Sequence, residues 1–114
     1  MANIEKFIMS LGGHHYRLCY RDLCGAICIE LEHLPESAQM KFIAAEVSQR
    51  SKRCTPKSVW RSVSRAVDDL WESGDLESLY ALQGRWRTCR PKPQEFIYVA
   101  ACWIRDRDEE LHNG

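Results

Sequence analysis

Apolar side chains recur at three- and four-residue steps through most of the chain, and the clearest register runs from Val59 through Val63, Ala66 and Val67 to Leu70. At about 100° per residue these five fall on one stripe of an α-helix, a face that a core has to cover. Thr55 supplies an N-cap, because its hydroxyl can accept from an orphan amide of the first turn, and Pro56 suits the first helical position. The stop is Glu72-Ser73-Gly74-Asp75, with Gly74 expected in the left-handed conformation that helix ends often use and Asp75 capping the next helix.

The same periodicity predicts helices on either side. Residues 3 to 11 place Ile4, Ile8 and Leu11 on one side and stop at Gly12-Gly13. Tyr20 to Glu32 sets Leu23, Ala26, Ile27 and Leu31 along one face, with Cys24 and Ile29 near its edges. Leu34-Pro35-Glu36-Ser37 breaks that pattern, and Glu36 or Ser37 leads into a shorter helix holding Phe42, Ile43, Ala45 and Val47. Ser51 to Cys54 has room only for a turn. Beyond the long helix, Leu76, Leu79, Tyr80 and Leu82 predict a short helix ending near Gly84, followed by an irregular basic segment from Arg85 to Lys92. A last helix opens at Pro93, with Phe96, Ile97, Ala100, Ala101 and Ile104 spaced for burial, Trp103 at the rim, and a charged tail from Asp106 that frays. No strand, repeat or linker is signalled. The expectation is one all-α domain over 1–114, with an ordered core at about 3–106 and about six helices.

Length and composition agree with one domain. A chain of 114 residues, 45% hydrophobic, suffices for one core and is too small for two good ones. No run of about 18 apolar residues occurs, and Glu5 with Gly12-Gly13 interrupts any leader-like start, so no membrane partner and a cytoplasmic location are expected. The six cysteines form no CxxC pair and read as small buried hydrophobes in a reducing compartment. Cys24 and Cys28 stand one helical turn apart, with Cys19, His14 and His15 upstream, but zinc needs four convergent donors and an i, i+4 pair on an apolar helix is more often core. No metal and no cofactor are expected. The chain carries no GxSxG, HExxH, phosphate loop or dinucleotide fingerprint, and His14, His15, His33 and His112 stand near ends and loops, so no enzyme is expected.

Charge changes the picture more than composition does. The formal net charge is zero, yet no acid occurs between Glu46 and Asp68, and that window holds six cations: Arg50, Lys52, Arg53, Lys57, Arg61 and Arg65. Opposite the valine stripe lie Lys57, Ser58, Arg61, Ser64 and Arg65. A short helix, a tight turn and a longer helix form the helix-turn-helix pattern, whose second helix enters the major groove of double-stranded DNA. Those five residues are the candidate base contacts. Arg50, Lys52, Arg53 and Thr55 at the turn are candidate phosphate contacts, as are Arg87 and Arg90 in the basic segment, whose competing reading is a solvated loop. Trp60, on the shoulder of the helix, has two readings: as a core-rim residue it closes the gap between helices, and as a contact it presses on a thymine methyl or sugar; its angle from the apolar stripe favours the rim. The rival function is a protein-interaction module that modulates a full-length regulator or RNA polymerase. The acidic patches Asp68-Asp69-Glu72 and Asp106 to Glu110 leave room for it.

Leu23 to Ile27, the framework Val59, Arg61, Val63, Ala66, Val67, Trp71 and Gly74, and Pro91 with Glu95-Phe96-Ile97 occur in an order that resembles the C-terminal effector domain of the stage-zero sporulation master regulator, the response regulator of endospore-forming Firmicutes. The resemblance covers about residues 4 to 105. It implies an all-helical domain that binds a short promoter element through the helix beginning near Thr55, often as a pair on tandem sites, and regulates transcription. It also implies that Trp71 packs inward. Where that family carries a Glu-Arg pair and a further Arg three residues on, this chain has Trp60-Arg61 and Ser64, with Arg65 beside it, and its hinge is one residue longer. The family's receiver domain has no room ahead of Ile4; if the chain is the whole protein, control by phosphorylation in cis is not expected, and an orphan regulator, a competitor for sites and an excised domain all stay open.

Overall fold

The computed structural model describes residues 2–13, 17–52, 55–75, 77 and 91–113, and over these the chain forms five α-helices and no strand. They are α1 (Ala2–Ser10), α2 (Leu18–His33), α3 (Met40–Arg50), α4 (Pro56–Ser73) and α5 (Pro93–Asn113). The helix expected over Leu76 to Leu82 and the basic segment from Arg85 to Arg90 lie outside the described residues. α5 runs on to Asn113 rather than fraying at Asp106, and the Arg107 guanidinium sits 4.4 Å from the centre of the Trp103 ring.

α2 is the hub, in contact with each of the other four helices. One apolar face would not allow that, and α2 buries more than one. Tyr20, Leu23, Cys24, Ala26, Ile27 and Ile29 are all buried, and so are Asp22 and Glu30. A helix packed in this way keeps a narrow outward strip, here Leu18, Arg21 and Glu32, in place of the broad polar face of an amphipathic surface helix. Around it α1 contributes Ile4, Phe7 and Ile8, with Leu11 in the turn that follows; α3 contributes Met40, Ile43, Ala44 and Val47; α5 contributes Phe96, Ile97, Ala100, Ala101 and Ile104. Trp71 packs inward as expected, its ring edge-on to Phe96 at 6.1 Å between centroids. Burial pushes the Cys24 thiol up to about 11, with the nearby Glu5 carboxylate adding to the effect.

Two polar anchors set where helices begin and end. The fully buried Glu30 carboxylate accepts from the Ala38 amide at 2.8 Å and from the Ser37 hydroxyl at 3.2 Å. Both donors are therefore held by α2, and α3 starts later than Glu36 or Ser37, at Met40 behind an N-cap residue Gln39 that makes no side-chain cap bond. From α5 the Gln94 amide donates to the Ala38 carbonyl at 3.3 Å, so one loop is held by two helices. The second anchor is the buried Tyr20, whose hydroxyl donates to the Asp69 carboxylate of α4 at 2.5 Å, while Arg17 stands 3.9 Å from the other carboxylate oxygen. Burial, then the bond to Asp69, raises the Tyr20 phenol well above its ordinary range.

Gly74 is not left-handed. Its φ is −82°, and among the described residues the left-handed ones are Gly12 at +88° and Lys52 at +56°. Glycine is needed at 74 for clearance. A Cβ there would fall 2.4 Å from the Leu70 carbonyl oxygen and 2.7 Å from that of Leu11. The end of α1 presses directly on the end of α4, and the Asp75 amide donates to the Leu11 carbonyl at 2.9 Å.

Gly74→Ala is therefore expected to destabilise the fold by about 1–3 kcal/mol through backbone overlap. Gly25→Ala, whose Cβ would meet Val47 at 3.5 Å, should be neutral or stabilising, by up to about 1 kcal/mol of helix propensity. Urea unfolding of both variants checks the pair, and equal effects would contradict the clearance argument. Stability should also fall in alkali. Cys24 and Tyr20 both have raised folded values, so their contribution is complete below the unfolded value and is lost above it, from pH 9.0 to about 11 for Cys24 and above pH 10.0 for Tyr20. Melting temperatures from pH 7 to 11 measure this fall, and Cys24→Ala should flatten its lower part.

Candidate nucleic-acid interface

α4 has the polarity its sequence predicts. Val59, Val63, Ala66, Val67 and Leu70 are between 0% and 1% exposed, which fixes the rotation of the helix about its axis. Lys57, Arg61 and Arg65 are exposed on the far side, with Ser64 half-buried beside them. None of these three cationic side chains is held in an ion pair or hydrogen bond among the described residues. The helix start is as expected. The Thr55 hydroxyl accepts from the Ser58 amide at 3.1 Å and lies 2.9 Å from the Ser58 hydroxyl, with Pro56 at the first position. Thr55 and Ser58, expected on phosphate and base respectively, thus bond to each other as the cap of α4.

The turn residues divide. Arg50 is not a free cation, because Glu32 at the end of α2 lies 3.0 Å from its guanidinium and Glu46, one turn back on α3, lies 3.7 Å away. The Glu46 pair is legible as an i, i+4 spacing. The Glu32 pair is not, since it depends on how α2 meets α3. Ser51 closes α3, its amide and hydroxyl both donating to the Val47 carbonyl at 2.9 and 2.6 Å, and the left-handed Lys52 next to it is exposed. Arg53, Arg87 and Arg90 lie outside the described residues.

Trp60 does not close the gap between helices as a rim residue would; it is 44% exposed. Two cations that the pattern along α4 does not reveal stand near it. Exposed Lys41 on α3 shares a crevice with Trp60, and exposed Lys92, just ahead of α5, shares another. Their distance along the chain hides them.

The sorting of charge along α4 runs against helix electrostatics. A helix is stabilised by acids in its first turn and bases in its last, at about 0.3–1 kcal/mol each. α4 has no acid in the first and no base in the last. Instead Lys57 and Arg61 occupy the half with the positive dipole end, Arg65 stands just past the midpoint, and Asp68, Asp69 and Glu72 follow toward the negative end. The arrangement costs helix stability and concentrates positive potential at one end of one face.

Among the described residues no three of His, Cys, Asp and Glu converge as metal ligands, and no helix is long and apolar enough to cross a membrane. No protein-family model matches the chain, and no curated protein matches it.

Thr55→Ala removes the side-chain cap bond at the start of α4 and is expected to cost about 1 kcal/mol. Denaturant unfolding with far-ultraviolet dichroism checks it; a variant as stable as the parent would mean that packing alone holds the first turn.

Proposed function

We propose that this chain binds double-stranded DNA sequence-specifically in transcription regulation, with α3, the turn after Arg50 and α4 acting as a helix-turn-helix and the first half of α4 lying in the major groove. The observation that carries this reading is the free cationic face of Lys57, Arg61 and Arg65, held outward by a buried seam and concentrated against the helix dipole. Arg61 is the leading base contact, because an exposed guanidinium can bond O6 and N7 of guanine together. Lys57, Arg65 and Ser64 flank it as base or phosphate contacts, and Lys52 contacts phosphate. Arg50 contributes less than its charge suggests, since two carboxylates balance it. The resemblance of the sequence to sporulation-regulator effector domains supports the same role, with a second copy on a tandem site and RNA polymerase as the further partners it implies.

The rival reading is a protein-interaction module without specific DNA affinity of its own. It draws on exposed apolar side chains such as Trp60 and Phe42, the latter 43% exposed.

Selection of bound duplexes from a random pool, followed by salt titration, separates the two. DNA binding predicts an enriched sequence and a log affinity that falls with log salt by about 0.9 per neutralised phosphate. Arg61→Ala should reduce discrimination at one position by about 1–3 kcal/mol. Negligible affinity for any duplex at low salt would favour the interaction module.

A further inference from the structure

Trp60 is the side chain on α4 that neither the seam nor the cationic face accounts for. Trp71, farther along the same helix, packs against Phe96, whereas Trp60 leaves 44% of its surface in water. Two crevices share it in their lining. One, about 500 Å³, lies between α3 and α4 and is lined by Lys41, Ala44, Pro56, Lys57, Trp60 and Arg61. The other, about 160 Å³, is lined by Met40, Trp60, Lys92, Pro93 and Gln94. Among the described residues neither is lined by an acid, and together they bring Lys41, Lys57, Arg61 and Lys92 around one indole.

An apolar ring shared by two crevices, one lined by Lys41, Lys57 and Arg61 and the other by Lys92, matches a chain in which sugar rings alternate with anions. A nucleic-acid strand is such a chain, with deoxyribose between successive phosphates. Lys57 and Arg61 belong both to the larger crevice and to the outward face of α4, so the two surfaces are continuous. We propose that Trp60 and its two crevices seat the sugar–phosphate backbone beside the groove that α4 enters, with the indole against a deoxyribose, Lys41 and Lys57 on the phosphate to one side and Lys92 on the phosphate to the other. This rests on the DNA reading above and adds a strand-clamping surface contributed by three helices. Because sugar and phosphate are the same at every base pair, the clamp supplies affinity and orientation, leaving sequence preference to Arg61.

The test compares the full chain with Trp60→Ala, Trp60→Phe, Lys41→Ala, Lys92→Ala and Arg61→Ala, on a selected duplex and on an unrelated one. Trp60→Ala should weaken both duplexes by a similar factor, roughly tenfold as for a contact residue at an interface centre, and Trp60→Phe should recover most of it. Lys41→Ala and Lys92→Ala should each lower the salt slope by about 1. Tryptophan fluorescence should change on duplex addition in the parent and much less in Trp60→Phe. Melting temperatures close to that of the parent would exclude loss of the fold as the cause. If these variants keep the parent's affinity, slope and fluorescence response while Arg61→Ala loses sequence preference, the clamp is overturned and the DNA reading stands. If the parent binds no duplex, both fall. If Trp60 responds to an acidic amphipathic peptide and not to duplex, the crevices are a protein-docking surface and the clamp is overturned.

Discussion

Burial of one seam of α4 against the hub helix α2 is the constraint on which the rest of the molecule depends. Val59, Val63, Ala66, Val67 and Leu70 leave almost no surface in water, and at about 25 cal/mol per Å² of apolar area their burial strongly penalises any other rotation of the helix. Rotation by even one residue, about 100°, would bring charge into the core. The outward direction of Lys57, Arg61 and Arg65 is thus a consequence of packing on the opposite side.

Polar anchors complete what apolar burial leaves free, namely sliding along the helix axis and the positions of the ends. Tyr20 with Asp69 holds the second half of α4 to the start of α2, and the glycine contact between Gly74 and Leu11 holds its end to α1. Glu30 does the same for α3 by taking both the Ala38 amide and the Ser37 hydroxyl. Buried carboxylates are tolerated when their oxygens are hydrogen-bonded. Here that satisfaction also fixes where α3 begins, and so where Lys41 stands relative to Trp60.

The charge pattern of α4 is the feature least explained by stability. Cations at the positive end of a helix and acids at the negative end are both unfavourable to the helix itself. Their cost is offset by the tertiary burial of the seam, which supplies more than the charges remove. A surface organised in this way attracts anions at one end of α4 and repels them at the other, which would orient a polyanionic partner on the helix. The proposed strand clamp lies at the attracting end.

Five helices and the polarity of α4 were legible in the sequence because periodicity and capping are local: a stripe of valines, a Thr-Pro start and a glycine-containing stop lie within a few turns of one another. The cationic face was legible for the same reason. Other features required the tertiary structure, because each depends on residues far apart in the chain. Arg50 shows only its i, i+4 neighbour Glu46 in sequence and is balanced as well by Glu32 across a helix contact. Gly74 looks like a left-handed stop and is a point of close approach to Leu11. α2 looks amphipathic and contacts all four of the other helices, and Trp60 looks like a rim residue until Lys41 and Lys92 share its crevices. Periodicity determines which side of a helix faces inward; only the meeting of distant segments decides which charges are neutralised, which glycine provides clearance, and which aromatic ring is left beside open space.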